Sequence, residues 1–381
     1  MNIPPLLRCC TLAFGSLLYS TFTSAQFTGQ TIAFVASYGE STYAMTSDIR
    51  TGGQAQALEV RLNDEGNVVA LTDEATFHTL CWQVGGGTTN ARFYPYALTE
   101  DGTYQPTTDV SLINKDDKLR LEAGTSDKPW KFNTSEQTWL YQYTSREKYG
   151  ILFYANFDYF KLNSTTYTGK SFGGIYILAR PALIAPHVFR DLSGMSSSFA
   201  TACFPADVKR TDHTEATFYE IVGKDTDDGQ LTALHLRPVS GDLSGGRPYI
   251  FRLNDESATS LTAALSGNEA SATTSNGLVG NLTDLSDIPV GMYVFPADAK
   301  SHTLPAGRAY IDPDAIETLA TPDDPDVLVL PIASNLLVSV ANPSSADSKP
   351  DKQTYDLSGR KAGTNAAGIL IQKGVKTVIS R

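Results

Sequence analysis

An all-β fold is what this sequence predicts, and three observations predict it. Few segments show helical periodicity. Short runs of alternating apolar and polar residues recur along the chain, each bounded by Gly, Asp, Asn or Pro. The composition agrees: 30 Gly and 19 Pro punctuate the 381 residues, and 18 Tyr and 17 Phe supply the bulky residues that strands favour. A β-barrel or β-trefoil-like N-terminal domain is expected first, then a β-sandwich-like domain and a short C-terminal β segment.

The elements follow in order. Residues 1–25 have the architecture of a signal peptide: Arg8 supplies the positive charge, an apolar stretch runs from Cys9 to Phe22, and Thr23-Ser24-Ala25 offers small residues for cleavage. That stretch is too short and interrupted to span a bilayer, and no later segment reaches spanning length. No integral membrane segment is therefore expected after cleavage.

Residues 26–180 form the first expected domain. Its strand candidates are Thr31–Ser37, Ala57–Leu62, Asn67–Leu71, Leu80–Val84, Arg92–Tyr96, Lys118–Glu122, Trp139–Tyr143, Ile151–Phe157 and Gly174–Leu178. Leu58, Val60 and Leu62 alternate with Glu59 and Arg61, the pattern of a half-buried strand. Trp82, Trp130 and Tyr176 recur at intervals of 48 and 46 residues. Three units of that length would suit a trefoil or another closed barrel.

The stretch from Trp139 to Phe172 is dense in aromatics. Two readings compete. Alternating aromatics fill a β core, with Tyr bridging core and solvent. Alternatively, Trp139, Tyr154 and Tyr159 form a platform for sugar rings, with Asn156 and Asp158 binding hydroxyls. Exposed rings at Tyr154 and Tyr159 would favour the second reading.

Residues 186–315 read as a sandwich-like module. Asp225-Thr-Asp-Asp-Gly229 lies between two alternating runs, and its Asp-Gly pair predicts a tight hairpin turn. A calcium loop of the EF-hand type would need a carboxylate at its twelfth position, which is Leu236. Residues 316–353 read as linker-rich, and residues 354–381 as three short closing strands.

The chemistry-bearing residues do not assemble into a known motif. The five histidines, His78, His187, His213, His235 and His302, show no zinc spacing, and no Gly-x-Ser-x-Gly elbow occurs. Cys81 and Cys203 sit in apolar strand-like runs and read as buried thiols rather than a bridge. No cofactor or metal is implied, and no enzymatic activity is expected. The net charge of −11 and the scattered Lys and Arg exclude the cationic stripe that nucleic acid requires.

Two segments carry a resemblance. Tyr355-Asp-Leu-Ser-Gly-Arg360, Gly368-Ile-Leu-Ile371 and Lys376-Thr-Val-Ile-Ser-Arg381 resemble the C-terminal sorting segments of Bacteroidetes proteins exported by type IX secretion. The order Phe199–Pro205, Ala216–Val222, Leu231–Arg237, Gly245–Phe251, Gly277–Gly280, Gly291–Phe295 and Leu304–Asp312 resembles a β module recurring in uncharacterised secreted proteins of the same phylum. The resemblance implies secretion or display on the outer cell surface, with the periplasm as the alternative, and the export machinery as a partner of the C-terminal segment. The functional expectation is a non-catalytic binding or adhesion protein whose ligand is a glycan or a host surface protein. The alternatives are a secreted carbohydrate-active hydrolase using paired carboxylates, and a structural surface component.

Overall fold

A computed structural model describes residues 27–332, except 88, 124–129, 143–147, 172–173, 194–198, 256, 299–302 and 321–323 and the side chains of 142, 167, 170 and 171. Beyond residue 332 it describes the backbone of short strands at 338–339, 355–356, 368–372 and 375–379. The signal-peptide region, Tyr143 and Phe172 of the aromatic stretch, His302, and most of the linker lie outside the described residues.

The fold is all-β, built of antiparallel sheets. The first half contains β1 (Thr31–Tyr38), β2 (Ser41–Ile49), β3 (Gln54–Leu62), β4 (Val68–Val69), the helix α1 (Glu74–Thr79), β5 (Trp82–Gly85), β6 (Arg92–Leu98), β7 (Tyr104–Pro106), β8 (Val110–Lys115), β9 (Lys118–Ala123), β10 (Lys131–Asn133), β11 (Thr138–Gln142), β12 (Lys148–Tyr154), β13 (Tyr159–Ser164), β14 (Gly169–Ser171), β15 (Gly174–Leu178) and β16 (Arg180–Leu183). Its main sheet runs open from β10 through β11, β12, β13, β3, β2, β1, β5 and β6 to β7, with β16 paired back on β1. The described strands thus branch rather than form one closed barrel. The expected three-unit period places its markers in unlike settings: Trp82 and Trp130 are buried, whereas Tyr176 is half-buried.

β1 shows why the sheet holds. Ile32 and Phe34 face one core with Trp82, Phe93, Trp139 and Phe153, while Ala33 and Val35 face a second with Val60, Phe77 and Leu80. A strand covered on both faces reads as a continuous apolar run, which Ile-Ala-Phe-Val-Ala is. Phe34 and Phe93 meet edge to face at 4.9 Å.

The second half contains β17 (His187–Asp191), β18 (Phe199–Cys203), β19 (Ala216–Asp227), β20 (Gln230–Pro238), β21 (Pro248–Leu253), β22 (Ser260–Ala264), β23 (Thr274–Ser275), β24 (Leu278–Asn281), β25 (Tyr293–Val294), β26 (Arg308–Ile311), β27 (Leu328–Pro331) and β28 (Val338–Ser339). The sheet β18-β21-β19-β20-β27 and the sheet β23-β24-β26-β25-β28 share a core of Ile221, Leu234, Leu236, Ile250, Leu278, Phe295 and Ile311. Phe218, Tyr249 and Phe251 project from the opposite face of the first of these sheets, towards Leu261 and Ala263 of the β17–β22 pair. A central sheet covered on both sides is a sandwich with a third, smaller layer.

The β19–β20 hairpin turns through Asp228 and Gly229, at φ of 47° and 77°, between the paired residues Asp227 and Gln230. Positive φ at both central positions is the two-residue turn that Asp-Gly favours. β27 was unexpected, because the sequence places it in the linker-rich stretch. It pairs with β20, and Ile332 N–H donates to Thr232 O. Strand alternation then turns Val329 and Pro331 outward at this edge, where a missing N–H costs no ladder bond. At the far edge of the first sheet Pro106 is placed likewise, since Thr107 N–H donates to Pro95 O and Tyr96 pairs Pro106. The closing segment forms a three-stranded sheet, β29 (Tyr355–Asp356), β30 (Gly368–Gln372) and β31 (Val375–Ile379).

The halves meet at α1, which the sequence reading missed. Asp73 caps it, accepting from Thr76 N–H at 2.9 Å. Phe77 packs against His187 at 4.3 Å and Phe189 at 5.0 Å between ring centroids. Arg61 reaches across to Asp212 at 2.5 Å and to Thr211 O at 3.0 Å, and Lys209 pairs with Asp64. Thr262 Oγ1 donates to Thr72 O at 3.0 Å.

Candidate functional site

The β12–β13 hairpin divides its aromatics by strand parity. Ile151, Phe153, Phe160 and Leu162 face the main core of the first half, where Phe153 stacks on Tyr43 at 4.7 Å. Tyr154 and Tyr159, a cross-strand pair, face the opposite side. Their rings stack at 4.9 Å, and Tyr176 of β15 meets Tyr154 edge-on at 4.5 Å. Asn163 Nδ2 donates to the Tyr154 hydroxyl at 2.6 Å.

The strand ends at Tyr154, three residues short of the expected Phe157. Phe157 therefore lies in the hairpin loop, where its N–H donates to Tyr154 O at 2.9 Å. Phe157 is 63% exposed, and its ring continues the stack, 6.0 Å from that of Tyr159. Asp158 takes a φ of 51°, a left-handed geometry that Asp tolerates and that closes the loop. Asn156 Oδ1 accepts from Ile175 N–H at 3.1 Å, which ties the loop to β15.

The five sequence-predicted residues divide accordingly. Asn156 and Asp158 are exposed at the loop, and Tyr159 is half-buried beside it. Tyr154 is buried, because Tyr159 and Tyr176 cover its ring. Trp139 is not part of any surface platform: it is 1% exposed and wedged edge-on among Phe27, Phe93 and Phe132 at 5.0–5.5 Å. The platform thus shrinks to Phe157 and Tyr159, with Tyr154 beneath.

Sequence reasoning missed the polar border. Gln56 of β3 pairs with Tyr159, and Gln54 pairs with Lys161. Cross-strand partners share a face, so these amides stand beside the tyrosine stack. No local signal joins positions more than 100 residues apart. The face is shallow: the two clefts of note, about 130 and 270 Å³, lie elsewhere, beside Trp130 and Arg50, and both are below the usual ~300–1,000 Å³ of small-molecule pockets.

Other reactive groups are held quiet. Burial pushes the Cys81 thiol up to about 12 and the Cys203 thiol up to about 11, and both cysteines are free. In the first half, hydrogen bonds to Lys209, Thr76 and Thr99 hold Asp64, Asp73 and Asp101 below the usual carboxylate range. Burial drives His187 down to about 4, although its bond to Ala185 O and the charge of Asp212 oppose this.

Compared with protein-family models, with curated proteins and with solved structures, the chain finds no match in any of the three.

Proposed function

We propose that this chain is a non-catalytic binding protein, exported and displayed at the cell surface, that engages a glycan through the Phe157–Tyr159 face. One observation carries the reading. A single exposed phenylalanine is ordinary on a protein surface, but Phe157 continues an ordered stack through Tyr159 to Tyr154. Gln54, Gln56, Asn156 and Asp158 border that stack. Flat rings next to amides and a carboxylate match a sugar, which offers a C–H face and a rim of hydroxyls. The rigid stack lowers the ordering cost of binding. Export rests on the signal-like N-terminus and on the C-terminal resemblance, with β29–β31 as the segment the export machinery would read.

The test is calorimetric titration of the chain from Gln26 onward against glycans selected on an array. Saturable binding is expected, weakened about tenfold or more by Phe157→Ala and by Tyr159→Ala, with unfolding of the Phe157 variant unchanged. Equal affinity in both variants would sink the reading. Binding to a surface protein but to no glycan would move the ligand to the host-protein class.

A further inference from the structure

Among the described residues, a cluster in the second half sets two arginines, Arg190 and Arg308, around one carboxylate, Asp298. Arg190 of β17 is 3% exposed. It donates to Thr201 O on β18 and pairs with Asp298, and its guanidinium lies 5.0 Å from the centre of the Phe251 ring. Asp298 also accepts from Thr201 N–H at 2.9 Å, and the Thr201 hydroxyl accepts from Ala309 N–H at 2.8 Å. One carboxylate thus braces β17, β18 and β26.

Arg308 of β26 is the surplus. Its Nε lies 3.9 Å from the same carboxylate oxygen that Arg190 uses. Among the described residues, neither Arg190 Nε nor Arg308 Nε has a hydrogen-bond partner. Among the described residues, the charges that act on Arg308 are Arg190 and Asp298, and burial followed by the Arg190 charge lowers it to about 10. Two guanidinium groups therefore share one anion. A surplus buried charge is costly unless it is paired. The Arg308 side chain keeps 19% of its surface exposed, so its outer edge can be reached from solvent.

We propose that Arg308, backed by Arg190, binds a small oxyanion. A guanidinium presents a planar fork of donors that matches sulfate, phosphate or carboxylate oxygens, and the second cation strengthens the local field. This site is independent of the aromatic face.

The experiment is thermal unfolding of the chain from Gln26 onward in sodium sulfate, sodium acetate and sodium chloride at matched ionic strength. Sulfate is expected to raise the Tm by about 3 °C with a saturating dependence. Arg308→Gln should remove the saturable part and leave only the weak linear effect of excluded salts. Arg308→Lys keeps charge but loses the fork, so its midpoint should move to higher sulfate; this variant decides the matter if the glutamine variant does not fold. Saturation by acetate below the sulfate midpoint would assign a carboxylate-bearing ligand, and saturation by sulfate alone an inorganic one. A linear response in all three salts, the same in wild type and variants, overturns the proposal.

Discussion

Acidification should loosen the joint between the two halves through His187. Its Nδ1–H donates to Ala185 O at 2.6 Å, and its Nε2 accepts from Ala70 N–H at 3.3 Å. That arrangement requires the neutral ring. Protonation would set an N–H against the Ala70 N–H and place a charge against Phe77 and Phe189, near His78. The ring titrates at about 4 in the folded chain, against 6.5 for the free side chain. A depressed histidine favours folding fully above the unfolded value, and that contribution fades as pH falls from about 6.5 towards about 4. At roughly 1.4 kcal/mol per pH unit, the full loss is about 3 kcal/mol, and most of it has occurred by about pH 4.5. The value of about 4 already includes the opposing charge of Asp212.

The assay is urea unfolding of wild type and His187→Gln from about pH 7.5 to 4.5. Glutamine can donate and accept at this site but does not titrate, so the difference between the curves isolates His187 from the carboxylates and His78. The wild type should lose about 2–3 kcal/mol more than the variant over this range. Parallel curves would refute the reasoning.

Three further outcomes follow from the packing. Trp139→Ala should cost about 3–5 kcal/mol, measured by urea unfolding, because it empties a site enclosed by three aromatic rings. Gly246→Ala should cost about 3 kcal/mol or more by the same measure: its φ is 73°, and an added Cβ would lie 2.0 Å from Ser271 O. Cys81 and Cys203 should resist a maleimide in native buffer and react fully in denaturant, as intact mass would show; fast native labelling of either would contradict their burial.

The parts of this fold that were legible in the sequence are those set by near neighbours. The run from Ile32 to Ala36 announced a strand, though not its burial on both faces, and Asp228-Gly229 announced its own turn. α1 was not legible, because six residues cannot sustain a helix alone; the contacts of Phe77 with β17 hold it. β27 hid in Leu-Val-Leu-Pro just after an acidic stretch, a pattern that only its partner β20 makes into a strand. The candidate site was legible as a region but not in detail. Alternation places Phe153 and Tyr154 on opposite faces, yet cannot say that Tyr176 would cover one of them. Nor could composition separate the enclosed Trp139 from the exposed Phe157. The Arg190–Asp298 brace joins residues 108 apart and leaves no local trace.

The two outward-facing prolines, Pro106 and Pro331, matter most when many copies are crowded together. A sheet border with unused N–H groups invites the border of a neighbouring molecule to zip onto it. Here the borders at β7 and β27 each lack a donor where such a zipper would need one, and the net charge of −11 makes close approach costly. At these two borders, strand-to-strand zipping between copies is therefore disfavoured.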